Sequence, residues 1–145
     1  MEMTDGRIDE AYARLRKLGL RLTPQRMAIA KCVLDTDAHP TAEDVYLKIR
    51  PGYPTISLAT VYSTLDTLAR AGVVQAVSTR QVVRYDSHAS RHINLICLNC
   101  SKIIDVDDGV IAGVAKKKAG EYRFRIVDQQ YMVYGYCQDC RAEVP

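Results

Sequence analysis

The chain has 145 residues, 48% of them apolar and 26% charged, which supports a buried core and excludes collagen-like and disordered chains. No apolar run approaches the ~18 residues of a membrane span, and the first 15 residues lack the apolar centre of a secretory signal, so a cytoplasmic protein with no membrane partner is expected. Twenty basic residues against 17 acidic ones leave a net charge of +3, a balance that permits nucleic-acid binding without indicating it.

Residues 8–18 place Ile8, Tyr12, Leu15 and Leu18 at helical spacing. Thr23 and Pro24 then offer an N-cap followed by proline at the first helical position. The helix they open carries Met27, Ala30, Val33 and Leu34 on one face, should end near Asp35, and leaves Cys32 as inert core. Thr41-Ala-Glu-Asp44 resembles a capping box ahead of Val45, Leu47 and Ile49. Pro51, Gly52 and Pro54 interrupt the chain. A fourth helix starts at Ser57 with Leu58, Val61, Tyr62, Leu65, Leu68 and Ala69 as its apolar stripe, and Gly72 ends it. Val73–Val77 and Gln81–Tyr85, joined by residues 78–80, read as a β-hairpin.

Helices followed by a hairpin is the order of a winged helix-turn-helix, whose recognition helix enters the DNA major groove. Ser57, Thr60, Ser63, Thr64 and Thr67 form the polar face of the fourth helix, short enough for close approach to base edges. Arg26, Arg70 and Arg80 are available to neutralise phosphates. A helical bundle with a solvated Ser/Thr face fits the same pattern.

The second half reads as strands at 92–97 and 102–106, a helix at about 108–119, and a long strand from Tyr122 to Tyr136. Three lysines, Lys116 to Lys118, read as a solvated helix face. The long strand suggests pairing across a two-fold axis. The fold class expected is α+β: an N-terminal winged helix-turn-helix over 1–84, a linker at 85–90, and a C-terminal α/β dimerisation domain over 91–145.

Four of the five cysteines form two pairs, Cys97-Leu-Asn-Cys100 and Cys137-Gln-Asp-Cys140. In a cytosolic chain such pairs indicate metal or redox chemistry rather than a disulfide framework. Two knuckles complete a tetrahedron of thiolates, the set that zinc favours. Four protein ligands leave no open position, so the role is structural. The rival is a dithiol oxidoreductase, which is disfavoured because such motifs open helices whereas these follow strands. The three histidines, His39, His88 and His92, lie in or beside turns or at strand ends. With Asp86, Asn94 and Asp105 they offer nitrogen and oxygen donors suited to Fe(II), Mn(II) or Zn(II). Scattered surface histidines and turn aspartates are the competing interpretation.

Several strings together resemble the ferric uptake regulator family: Leu22-Thr-Pro-Gln-Arg26, His39-Pro-Thr-Ala-Glu-Asp-Val-Tyr46, Ser57-Leu-Ala-Thr-Val-Tyr62, His92-Ile-Asn-Leu-Ile-Cys97-Leu-Asn-Cys100 and Gly135-Tyr-Cys137-Gln-Asp-Cys140. The resemblance runs from about residue 8 to 141. It implies a homodimeric, metal-dependent repressor that binds double-stranded operator DNA and is not an enzyme. Cys97, Cys100, Cys137 and Cys140 then match a structural Zn(II) site. His39, Asp86, His92, Asn94 and Asp105 match a regulatory Fe(II) or Mn(II) site that would join the two halves. Arg26 matches a phosphate contact and Tyr62 a base contact, with Ser57, Ala59 and Thr60 as co-readers and Arg80 on the hairpin. In this family aspartate at the position of Asp105 is typical of peroxide-sensing repressors, and glutamate of iron-uptake regulators. The peroxide-sensing branch is therefore expected, with His39 and His92 as the oxidisable ligands; iron-uptake or zinc-uptake regulation is the alternative. Such sensors usually carry histidine at the position of Asn94. Weaker iron binding, a different fifth ligand or recruitment of nearby His88 are the open consequences.

Overall fold

The computed structural model describes residues 2–88, 92–107 and 109–143, with side chains from residue 6 onward. The chain divides into two compact units, Met1–Ser78 with Val82–His88, and Thr79–Gln81 with Ala89–Pro145.

In the first unit, helices α1 (Glu2–Lys17), α2 (Pro24–Leu34), α3 (Ala42–Ile49) and α4 (Leu58–Arg70) precede strands β1 (Gln75–Ser78) and β2 (Val83–Asp86). Three of these helices start at a hydroxyl N-cap. Thr23, Thr41 and Ser57 accept from the amides of Arg26, Asp44 and Thr60, supplying partners for donors that a helix start leaves over. Thr41 and Asp44 complete the reciprocal box, since the Asp44 carboxylate also accepts from the Thr41 amide at 2.9 Å. Thr41→Ala is expected to lower the stability of this unit by about 1 kcal/mol, measured as a shift in urea midpoint with unchanged slope. Gly72, at φ 72, turns the chain out of α4, a conformation glycine adopts without strain.

The apolar faces of α1 to α4 meet in one core, with Leu15, Ile29, Val33, Val45, Val61, Leu65 and Leu68 fully buried and Tyr85 of the hairpin closing it. β1 and β2 pair antiparallel, Gln75 opposite Asp86. Three expectations are corrected. Thr64 is 1% exposed and belongs to the core, not to the polar face of α4, whereas Tyr62 is 43% exposed and leaves the apolar stripe. Leu18 lies beyond α1 and is exposed, because Gly19 at φ 76 turns the chain away there. Cys32 is half-buried at the edge of the core; burial pushes its thiol pKa up, which keeps it protonated and unreactive.

The second unit holds β3 (Ile93–Cys97), β4 (Ile103–Val106), α5 (Gly109–Glu121) and β5 (Tyr131–Gly135). The sheet order is β4-β3-β5, with β3 antiparallel to β4 and parallel to β5. A parallel neighbour needs a crossover, which β4 and α5 supply. The long strand expected from Tyr122 is not formed. The amides of Tyr122 and Phe124 fold back onto the Ala119 carbonyl, with Arg123 at φ 53, so the chain turns where apolar alternation suggested extension. Only five residues, 131–135, form the strand on which two-fold pairing was expected. Lys116 to Lys118 are exposed, as expected for a solvated face.

Candidate metal centres

The parallel register sets Cys97 beside Gly135, so the turns that follow β3 and β5 emerge side by side at one end of the sheet. After β3 the chain reverses through Ser101, at φ 61, whose amide donates to the Cys97 carbonyl at 3.0 Å. After β5 the amides of Cys140 and Arg141 donate to the Cys137 carbonyl at 3.0 and 2.9 Å. These two knuckles bring the four sulfurs within 4.8 Å of one another. The Cys100 and Cys137 sulfurs are 3.8 Å apart. That matches the edge of roughly 3.8 Å for a tetrahedron with Zn–S bonds of about 2.3 Å, and is far beyond a disulfide bond of about 2.05 Å.

Electrostatics point the same way. Backbone amides of Cys100 and Cys137 hydrogen-bond the Cys97 sulfur and bring its pKa down to about 6. A contact with Asn99 lowers the Cys140 pKa, but hydrogen bonds with the Cys137 and Cys100 side chains and burial outweigh it and push the thiol up to about 12. One thiolate forms readily and further ones crowd it, a strain that a divalent cation relieves. The four-cysteine set therefore fits structural zinc.

In the first unit, His39 and Asp86 are buried at 7% and 2% exposure. His39 sits at φ 50, a left-handed backbone that costs a non-glycine residue about 1–2 kcal/mol. Strand β2 holds it there. The Arg84 guanidinium donates to the His39 carbonyl at 3.1 Å, the Tyr85 amide to the Pro40 carbonyl at 2.9 Å, and Thr41 bridges Arg84. Asp86, the last residue of β2, places Oδ2 3.7 Å from His39 Nε2. Its Oδ1 accepts from the His88 amide at 2.9 Å and lies 2.6 Å from His88 Nδ1. The His39 and His88 rings lie side by side, 5.9 Å apart.

In the second unit, His92 directly precedes β3 and places Nε2 3.4 Å from Asp105 Oδ1. Asn94 is opposite Asp105 across the β3–β4 ladder. Its side chain is completely buried, and among the described residues neither its amide oxygen nor its amide nitrogen has a hydrogen-bond partner. An unsatisfied buried polar group costs about 1–3 kcal/mol, so this amide suits a site that supplies a partner when occupied. Imidazole, carboxylate and amide donors in these two groups have the chemistry of an Fe(II), Mn(II) or Zn(II) site.

The expected base readers Ser57, Ala59, Thr60 and Tyr62 all lie at the start of α4. Ser57 Oγ and Thr60 Oγ1 are 2.9 Å apart, and the Tyr62 hydroxyl donates to Glu43 Oε1 at 2.7 Å. Arg26 donates to the Arg21 carbonyl at 2.6 Å, and Arg80 is exposed in the hairpin loop. Among the described residues, no helix is long and apolar enough to cross a membrane.

Residues 17–134 match the ferric uptake regulator family. The chain is 32% identical over 144 residues to the peroxide-responsive repressor PerR of Staphylococcus epidermidis, covering 99% of this chain and 96% of that protein. The solved ferric uptake regulator of Helicobacter pylori has the same fold, with a TM-score of 0.77 at 21% identity over 95% of this chain and 93% of that one. The Pseudomonas aeruginosa ferric uptake regulator, solved with manganese, aligns with a TM-score of 0.75 at 26% identity over 88% and 97% of the two chains. Sequence and fold thus agree along nearly the whole length, and the chain belongs to the ferric uptake regulator family.

Proposed function

We propose that the protein is a cytoplasmic, homodimeric transcriptional repressor that binds double-stranded operator DNA under control of a regulatory Fe(II) or Mn(II) ion, and that it senses peroxide. The observation that carries this reading is Asp105, a short carboxylate opposite Asn94 and 3.4 Å from His92. Likeness to a peroxide-responsive repressor over nearly the full length supports it. Structural zinc is assigned to Cys97, Cys100, Cys137 and Cys140, and the regulatory metal to His39, Asp86, His92, Asn94 and Asp105.

His39 and Asp86 come from the first unit and His92, Asn94 and Asp105 from the second. A donor set divided in this way couples the two units. In a dimer, that coupling sets the separation of the two α4 helices, which must match half-sites about one helical turn apart or its multiples. Metal then raises DNA affinity only through its preference for the binding-competent state. Tyr62, with Ser57, Ala59 and Thr60, reads bases, while Arg26 and Arg80 hold phosphates. Fe(II), when bound at these residues, would promote cleavage of the O–O bond of hydrogen peroxide; one peroxide oxygen would be inserted into the imidazole of His39 or His92, which supplies the two electrons, and the other would leave as water. An oxidised imidazole is a poorer donor, and its loss uncouples the units. Exposed Val110, Val114, Tyr122, Phe124 and Tyr134 of the second unit give the dimer an apolar surface to bury.

Duplexes selected from a randomised pool by the Mn(II)-loaded protein provide the test. Binding to the selected duplex is expected to require Mn(II) or Fe(II) and to be abolished by hydrogen peroxide in the Fe(II) form alone. Restoration by Zn(II) alone, or Fe(II)-dependent binding indifferent to peroxide, would place the protein in the zinc-uptake or iron-uptake branch.

A further inference from the structure

The chain has three histidines, and one of them, His88, is left unused by the ligand set above. Its surroundings are those of a donor. Two backbone features bring it to the pair His39 and Asp86. The His88 amide caps Asp86 Oδ1 at 2.9 Å, folding the chain back just after β2. Ser87, between them, is anchored by its own hydroxyl to the Thr36 carbonyl at 2.9 Å and by the Arg7 guanidinium on its carbonyl. One nitrogen from each of His39 and His88 and one oxygen of Asp86 lie within 4.8 Å of one another, all inside one compact unit.

We propose that His39, Asp86 and His88 form a two-histidine, one-carboxylate site for a divalent cation, with His88 contributing a nitrogen ligand to Fe(II) or Mn(II). Two imidazoles and a carboxylate are donors that suit Fe(II) and Mn(II). The inference rests on the regulatory-metal reading above and adds a ligand to it. It also gives a physical account of Asn94. An amide oxygen is a weaker donor to Fe(II) than imidazole, and a third imidazole, from His88 just after β2, restores the nitrogen that the strand position lacks.

The test uses the full-length, zinc-loaded protein and Mn(II) as the probe. Mn(II) affinity is read by titration, and the bound imidazole nitrogens are counted by pulsed electron paramagnetic resonance. His88→Ala and His88→Gln are both expected to weaken Mn(II) by at least about tenfold and to remove one imidazole nitrogen, with thermal unfolding unchanged. Weakened binding with an unchanged nitrogen count would overturn the proposal and make His88 a positioning residue for Asp86. Unchanged affinity in both variants, with binding lost in His39→Ala, would overturn it too while leaving the regulatory-metal reading intact. Absence of Mn(II) and Fe(II) binding in the unsubstituted protein would overturn both.

Discussion

Cys97→Ser is expected to lose its zinc and, with it, the folded second unit. The reason lies in how little else holds that unit together. Helix α5 buries none of its side chains among the described residues, and the buried apolar residues of the sheet are Ile93 and Ile96 with the sulfurs of Cys97 and Cys140. The β3–β5 pairing, between segments far apart in sequence, is tied at one end by the two knuckles. Structural zinc in comparable small sites contributes about 10–16 kcal/mol of apparent binding free energy at neutral pH, more than such a core supplies. Elemental analysis should find one zinc per chain in the unsubstituted protein and none in the variant. Calorimetry should show the transition of the first unit surviving, because its own core is large, while the transition of the second disappears and the protein becomes monomeric. A variant that keeps both transitions, or an unsubstituted protein without zinc, would remove the structural assignment of the four cysteines.

The second large effect is expected at His39 and is of the opposite kind, with function lost and stability kept. His39→Ala should abolish the stimulation of operator binding by Mn(II). Alanine is as strained as histidine at φ 50, so its unfolding midpoint should stay close to that of the parent. His39→Gly separates the two contributions further. Glycine adopts a left-handed backbone freely, and relief of the strain is expected to stabilise the unit by up to about 1–2 kcal/mol. A protein more stable than its parent yet unresponsive to metal would show that the histidine is retained for its donor. If His39→Gly still bound operator in a Mn(II)-dependent way, His39 would have no place in the regulatory set.

What was legible in the sequence follows a physical division between local and distant causes. The caps at Thr23, Thr41 and Ser57 and the stop at Gly72 were readable because each satisfies backbone groups within three or four residues. The four-cysteine set was readable because a two-residue gap is itself the geometry of a knuckle. The strand expected over 122–136 was not formed, since alternation of Tyr122, Phe124 and Ile126 carries no trace of the reversal at Arg123. Thr64 was assigned to the polar face by residue type, although three-dimensional packing against the core decides its burial. The buried amide of Asn94 was likewise invisible, because it depends on side-chain direction rather than on residue order, whereas His88, two residues after Asp86, was already a candidate ligand in the sequence.

The separation of the two knuckles along the chain also imposes an order in time. The knuckle at Cys97 and Cys100 is synthesised 37 residues ahead of Cys137, an interval of roughly two to seven seconds at about 5–20 residues per second. During that interval the nascent chain carries a bare vicinal dithiol with no second knuckle to complete a tetrahedron. An oxidant present during translation would therefore compete with zinc for the newly made chain before the four-cysteine site is complete.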